Sequence, residues 1–558
     1  MSEAAPRSRR LPRRLFWATL VLVHLAGAAA LFCWLDAASR PVPMHDLQLA
    51  AGEKLRCVSY APFHRPGQTP FDKDQVIPRE QIAADLAALA MITDCVRLYA
   101  IDNGLDQTPA IARALGLKML LGAWIGYERE KNAVQLERAI ALANEYPDVV
   151  RMLIVGNEVL LRQERTAGEL RALLAQARAK LNPAIPLTYA DVWEFWLKNA
   201  ALASAVDVVT VHILPFWEDE PVDIAVALAH VAQTRAKVAA IFAGKPILIG
   251  ETGWPSAGLQ REASKPSRVN QARYVREFVH RAHAEGWDYN LIEAIDQPWK
   301  RGLEGTVGGY WGMLDAANLQ AKFPLAGAVA ERDGITTPLV AAGGGALLAL
   351  LLALAGHAPA RHSPLRLLAV TLVGATSGAI AALHAEHAWL AYTSFTDWGA
   401  LGVVALSAVL VAAALARWDG ATLVCADVAW QRMREKKWRA DAGELLAALR
   451  GFILFAAAVA ALLLLITSRY RDFPTLLYLT PAAIYGVIGW RGGFCRAERI
   501  CAAIVVICVI GRWLPEPVNP QAIGWLLTGL ALGLPALARR QPGARSTLGA
   551  QFGAQQRE

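Results

Sequence analysis

A barrel of eight parallel strands with helical crossovers, an α/β fold, joined to a helical region suited to a bilayer, is the architecture this sequence predicts. Three observations carry that prediction. Short Val/Ile/Leu-rich runs alternate with amphipathic stretches from residue 55 to residue 296, the rhythm of a parallel sheet. Eight such units fit into roughly 280 residues, near the ~250 usual for a closed barrel. Apolar runs approaching the ~20 residues that span a bilayer flank this segment, one before it and a series after it.

Composition agrees with two regions in two solvents. With 558 residues, 55% hydrophobic content and a mean hydropathy of +0.30, the chain is too apolar to be wholly soluble, and its first half is too charged for a pure membrane protein. The net charge of +8 calls for no nucleic acid. Basic loops retained in the cytoplasm account for it, and no aromatic-interleaved basic patch is present.

The chain opens with MSEAAPRSRRLPRR, whose five arginines should stay in the cytoplasm and send the apolar run 15–35 outward. No small-residue cleavage site follows, so the run reads as a retained anchor, with a cleaved signal the minority alternative. Residues 36–337 then form an outer domain. Its strands are expected at 55–60, 95–99, 118–124, 149–156, 186–191, 206–214, 246–250 and 289–296, with helices such as 79–91, 132–146, 167–181 and 266–285 between them. That is a TIM barrel, a (β/α)8 fold. An open doubly wound sheet is the alternative, but it favours a glycine-rich phosphate loop after strand one, and Val58-Ser-Tyr-Ala-Pro-Phe63 is not one.

Barrel chemistry sits at the C-terminal ends of strands. The residues there are Ser59, Tyr60, Arg97, Tyr99, Trp124, Asn157, Glu158, Tyr189, Asp191, His212, Glu251, Glu293 and Asp296. Glu251 closes a buried apolar run, where a charge is costly unless used or paired. For that stretch alone, an ion-paired glutamate under a Gly-Trp-Pro turn is the plainer alternative. Glu158 closes a second run. Opposed carboxylates with aromatic walls suit glycosidic bond cleavage, one protonated to release the leaving oxygen and one ionised. Asn157 can donate to a sugar 2-hydroxyl, while Trp124, Trp217 and Trp254 belong to an aromatic supply suited to pyranose faces.

No metal or other cofactor is expected, because no second histidine is spaced to join His212. A Gly-x-Ser-x-Gly elbow and a cysteine–histidine partnership are likewise not evident. Of seven cysteines, only Cys57 and Cys95 belong to the outer domain. They lie on adjacent predicted strands, so a disulfide is feasible; two buried thiols are the alternative.

At these residues the chain resembles glycoside hydrolase family 17, the β-1,3-glucanase family. ILIGETGWPSAG matches its nucleophile signature, IVGNEV its acid/base motif, VRLYA its second strand, and AIDQPWKRGLEGTVGGYWGM its closing segment. The resemblance implies Glu251 as nucleophile and Glu158 as acid/base, with Arg97 supporting the nucleophile and Lys300 and Glu304 forming a polar pair near the site. Gln297, where plant members carry an acid, and VHILPFW, where they have Asn-x-Tyr-Pro, depart from the pattern. The partners implied are a β-1,3-glucan donor and acceptor, the lipid bilayer and a membrane glucan synthase. An endo-acting hydrolase, or a non-catalytic glucan-binding module of a synthase or export system, are the competing functions.

Further spans are expected at 339–356, 367–383, 398–416, 451–467, 475–490, 500–511 and 522–538, within a membrane region of 338–540, and a polar tail occupies 541–558. The run 500–511, boxed between Arg499 and Arg512, is short of the usual length and reads either as a short tilted span with snorkelling arginines or as a core re-entrant helix. Arg361, Arg366, the 417–450 loop with its MREKKWR run, Arg491, Arg496, Arg499, Arg539, Arg540 and Arg545 all fall on one side, while Arg469, Arg471 and Arg512 oppose that pattern. Eight spans with both termini cytoplasmic follow. The resemblance also places such an architecture in the bacterial inner membrane, with the barrel in the periplasm, among proteins that transfer glycosyl units onto periplasmic or cyclic β-glucans.

Overall fold

The structure, a computed structural model, describes residues 13–47, 49, 52–355 and 363–538. The leader up to residue 12, Arg361, Arg539, Arg540, Arg545 and the tail 541–558, used above for orientation, lie outside the described residues. The chain forms two compact units, Arg40–Glu331 and Met1–Ser39 with Arg332–Glu558.

After α1 (Arg13–Ser39) the chain enters the barrel unit. It runs β1 (Val58–Ser59), α2 (Arg79–Leu89), β2 (Cys95–Arg97), α3 (Thr108–Ala114), β3 (Lys118–Ala123), α4 (Arg129–Glu145), β4 (Val150–Asn157) and α5 (Ala167–Lys180). It continues through β5 (Leu187–Val192), α6 (Trp193–Lys198), β6 (Val209–His212), α7 (Ile224–Ile241), β7 (Ile247–Thr252), α8 (Arg268–Ala284), β8 (Asp288–Leu291) and the short α9 (Arg301–Glu304). The eight strands close into a barrel in sequence order, and β1 meets β8 through Val58 and Leu291. Each predicted strand is present because each run is buried on both faces, by barrel interior and by helix.

The ends of the strands are shaped for the site. Pairing shifts register between Ile154 and Asn157, between Val211 and His212, and between Ile249 and Thr252, all near the C-terminal rim. Such irregularities re-aim side chains. Glycine permits close approach there: a Cβ on Gly250 would lie 2.5 Å from Thr210 Cγ2 and 3.1 Å from the His212 ring. The predicted last strand ends early, at Leu291. Its continuation pairs elsewhere, Glu293 N–H donating to Trp311 O and Asp296 N–H to Leu314 O. Cys57, just before β1, and Cys95, first in β2, are joined by a disulfide, adjacent through the Val58–Val96 register.

The other unit contains α1, α10 (Thr336–Leu354), α11 (Pro364–Ala391), α12 (Phe395–Arg417), α13 (Ala426–Glu435), α14 (Ala442–Ile466), α15 (Thr475–Ile488), α16 (Arg496–Trp513) and α17 (Pro520–Ala538). Of these, α1, α10, α11, α12, α14 and α17 are long and apolar enough to cross a bilayer. Barrel helix α7 also meets that measure, yet it buries Ala227, Val231, Thr234 and Val238 on one face, as an amphipathic crossover does. The expected spans 475–490 and 500–511 are helices that fall short. With 14 residues, α15 extends only about 21 Å. In α16, Arg496, Glu498, Arg499 and Arg512 bracket the apolar run, and Arg512 is buried against Glu516 at 2.8 Å.

Candidate active site

Glu251 lies within β7 rather than after it, and Glu158 is the first residue beyond β4. Glu158 takes the left-handed conformation, φ 52°, uncommon for a residue with a side chain. Strain of this kind collects at functional positions. Its N–H is tied to Ala190 O at 2.8 Å, while the next turn is fixed by Leu160 N–H donating to the Tyr189 hydroxyl at 3.0 Å.

The nucleophile candidate is held on one side only. Glu251 Oε1 accepts from the Tyr99 hydroxyl at 2.9 Å and from Arg97 Nη1 at 3.2 Å, with His212 Nε2 at 3.5 Å. Oε2 has no protein donor among the described residues, which leaves it as the oxygen able to form a new bond. Behind Tyr99 stands a relay: Asn290 Nδ2 donates to Ser59 Oγ at 2.8 Å, and Ser59 lies 2.8 Å from the Tyr99 hydroxyl. With the tyrosine proton given to Glu251, the serine proton goes to the tyrosine oxygen.

Asn157 is oriented by elimination. Its Oδ1 accepts from Arg97 Nη2 at 2.5 Å and lies 3.0 Å from His212 Nε2, so the imidazole carries its proton on Nε2 and the amide nitrogen is left to donate. Burial lowers His212 to about 4, so it is neutral at pH 7.

The two carboxyls are driven apart. Burial, then the charges of Glu251 and Asp191, raise Glu158 to about 8. Burial also works to raise Glu251, but His212 when protonated, Arg97 and the Tyr99 hydrogen bond outweigh it and hold it below the usual glutamate range. One oxygen of Glu158, one of Glu251 and a His212 nitrogen lie within 4.8 Å of one another. A metal could use such a triad, but here Arg97 already supplies a cation at Glu251 and the His212 proton is directed at Asn157.

Other predicted residues surround this centre in two ways. Glu293, fully buried, accepts from Lys300 Nζ at 2.9 Å, and burial raises it to about 7 despite that partner. Glu304 is raised by burial, against the pull of Lys300, and both feel the charge of Glu251. Trp124, 37% exposed, stacks under Arg162 at 4.3 Å, and Arg162 reaches Glu158 Oε2 at 4.0 Å. Trp217 stacks on Trp311, with rings 6.2 Å apart. Tyr189 and Asp191 bond each other and the Leu160–Leu161 backbone, acting from behind Glu158.

Three expected cleft residues serve elsewhere. The Tyr60 hydroxyl donates to Asp85 of α2 at 2.9 Å, since Tyr60 follows inward-facing Ser59 and alternation turns it out of the barrel. Trp254 is fully buried between Phe216 and Tyr274, its Nε1 bonded to Lys265 O. Asp296 is locked to Lys322 at 2.7 Å and to Gly312 N–H. Gln297 ties Ala61 O to the Trp299 indole. Asn290, Arg162 and Lys322 are supports that the sequence did not point to, and Ser59, expected at the rim, gains its role from the contact with Tyr99.

Removing the Arg97 charge should isolate its role. An Arg97→Met protein is expected to lose on the order of 10²-fold in kcat, the scale for losing one preorganised donor. The acid limb of its pH–rate profile should also move upward, because Glu251 loses the cation that favours its ionised form. A profile whose acid limb stays in place would refute that assignment.

Residues 57–312 match the BtgE/BtgC glycoside hydrolase domain. The chain is similar to a "Probable glucan endo-1,3-beta-glucosidase" of Aspergillus fumigatus, 28% identical over 276 residues, covering 43% of this chain and 38% of that protein. It thus spans well under half the length of that relative. It is also similar to a "Glucan 1,3-beta-glucosidase" of Arthroderma benhamiae, 30% identical over 220 residues, 37% of this chain and 70% of that one. Among solved structures, a glycoside hydrolase family 17 beta-1,3-glucanosyltransferase from Rhizomucor miehei aligns at 25% identity and a TM-score of 0.43, over 49% of this chain and 97% of that chain.

Proposed function

The chain belongs to the BtgE/BtgC glycoside hydrolase family through residues 57–312, and on that footing we propose that it is a retaining enzyme that breaks β-1,3-glucosidic bonds and transfers the glycosyl unit to another glucan. The observation that carries this reading is the pair of carboxyl oxygens within 4.8 Å, one group held protonated near neutrality and the other ionised. Retaining pairs stand about 5–5.5 Å apart, whereas inverting pairs leave 6.5–9.5 Å for a water.

The steps follow from the contacts. Glu251 Oε2 bonds to the anomeric carbon as the glycosidic C–O bond breaks, and Glu158 gives its proton to the departing oxygen. Once Glu251 is an ester its charge is gone. One of the influences raising Glu158 disappears with it, so Glu158, having given up its proton, stays ionised near neutrality and is available as the general base. It then takes the proton of an incoming hydroxyl, whose oxygen attacks the anomeric carbon and frees Glu251. To the Asn157 amide nitrogen, whose partner oxygen is taken by Arg97, we assign donation to the 2-hydroxyl, a bond that strengthens in the transition state.

Six long apolar helices in the second unit support a membrane-held enzyme. We infer that the membrane is the bacterial inner one, with the barrel periplasmic, both termini cytoplasmic, and the work shared with a membrane glucan synthase during remodelling of periplasmic or cyclic β-glucans. The test is to incubate the full-length protein with a laminari-oligosaccharide of one length and size the products. Products longer than the donor are expected. Only shorter ones would make it a hydrolase, and an unchanged donor would overturn the reading.

A further inference from the structure

Helix α13 sits between α12 and α14, both long enough to cross a bilayer, and it is built unlike its neighbours. Ala429 and Met433 are buried on one face. Most of the other side chains of the helix and of the turn after it are exposed, and the cations Arg432, Arg434, Lys436, Lys437 and Arg439 outnumber the carboxylates Asp427 and Glu435. Arg432, Arg434, Lys437 and Arg439 have no carboxylate partner among the described residues, whereas Lys436 is paired with Glu444 at 2.7 Å. Two indoles stand among these cations: Trp430 is 51% exposed and Trp438 59% exposed.

The turn that brings the indoles together is strained. Trp438 N–H donates to Met433 O at 2.7 Å and Lys437 N–H to Arg434 O at 3.0 Å, the paired bonds of a helix-ending motif that normally places glycine in the left-handed position. Here the left-handed residues are Lys437, φ 52°, and Trp438, φ 68°. A side chain in that conformation is disfavoured, and a bulky one more so. The result is an edge-to-face contact between Trp430 and Trp438, with centroids 5.2 Å apart, on the solvent side of the helix and not on its buried side.

We propose that α13 and its turn form a binding surface for anionic phospholipid at the membrane interface. The inference rests on reading α12 and α14 as spans. With both in the bilayer, the connector 418–441 is tethered at both ends to the membrane surface, and α13 packs back on α14. Indoles favour headgroup depth, being apolar in body with one polar N–H. The unpaired cations there meet lipid phosphates, and the three arginines among them can grip phosphate oxygens in a bidentate way. The strained turn fixes the indoles beside the cations, so one lipid can bring its phosphate to Arg434 or Lys437 while its glycerol and upper chains lie against the indole pair.

The experiment uses the full-length protein in vesicles of phosphatidylcholine and phosphatidylglycerol, with bromine carried near the headgroup end of the acyl chains of one lipid or the other. Quenching of tryptophan fluorescence reports which lipid lies beside the indoles, and a Trp430→Phe/Trp438→Phe protein identifies their share. A phosphatidylglycerol preference of roughly tenfold is expected at low salt, falling towards parity at ~1 M salt, where screening acts within about 3 Å. The Arg434→Gln/Lys437→Gln and fourfold Arg432→Gln/Arg434→Gln/Lys437→Gln/Arg439→Gln proteins should lose the preference but keep quenching by brominated phosphatidylcholine. Equal quenching by both lipids in the wild type, or an unchanged preference in the double variant, would refute the proposal. Release of the protein from vesicles by alkaline carbonate would instead refute the spans themselves.

Discussion

Glu251→Ala abolishes turnover on laminari-oligosaccharides, with kcat expected to fall roughly 10⁴-fold or more, the scale seen when a covalent nucleophile is removed. The loss cannot be recovered by a better leaving group, because no atom remains to attack the anomeric carbon. A small external nucleophile can recover it. Azide entering the space vacated by the carboxylate should restore turnover on an aryl β-glucoside donor and give an α-glycosyl azide, inverted at the anomeric carbon. That product is the decisive measurement, since a merely misfolded variant yields none. Unchanged turnover, or a β-azide, would remove Glu251 from the nucleophile role. The surrounding contacts predict that the scaffold survives the change: Arg97 keeps Gly250 O and Asn157 Oδ1 as acceptors, and Tyr99 keeps Ser59.

The barrel was legible because each strand is apolar on both faces and each crossover helix is amphipathic, so period and length agree. Glu158 and Glu251 were legible for a related reason, since a carboxylate ending a fully apolar run stands out. The direction of neighbouring side chains was not. Ser59 and Tyr60 are adjacent at the same rim, yet one completes the relay to Glu251 and the other reaches Asp85 outside the barrel. A one-residue difference in alternation decides this, and β1 is only two residues long. Asn290 reads as a polar residue tolerated inside a strand, and Lys322 joins Asp296 from 26 residues away, so neither carries a local signal. In the second unit, apolar runs located the helices well. The expected run 475–490 is itself shorter than a span, and α15 occupies nearly all of it, between Pro474 and the 3₁₀ turn Gly489–Arg491.

Glu158→Gln separates the two steps that this one residue serves. Glutamine has nearly the same shape but neither gives nor takes a proton, so natural β-1,3-linked substrates should lose about 10²- to 10⁴-fold in kcat/KM, the range for general acid catalysis. A dinitrophenyl leaving group departs without a proton. Formation of the glycosyl-enzyme from such a donor should therefore stay fast while its breakdown slows, giving a burst followed by slow turnover and a lowered KM. Azide needs no base, and here it should accelerate breakdown and give a β-glycosyl azide, the opposite anomer from the Glu251→Ala product. The pH dependence supplies an independent check. Burial and the charge of Glu251 lift the Glu158 pKa to about 8, so the wild type should hold its kcat/KM up to that region and lose about tenfold for each pH unit above it, as the acid form is titrated away. The variant has no such proton to lose, and its basic limb should be flat on the dinitrophenyl donor. If the fall above pH 8 persists in Glu158→Gln, another group owns that limb, and Glu293, raised to about 7 beside Lys300, is the next carboxyl to test.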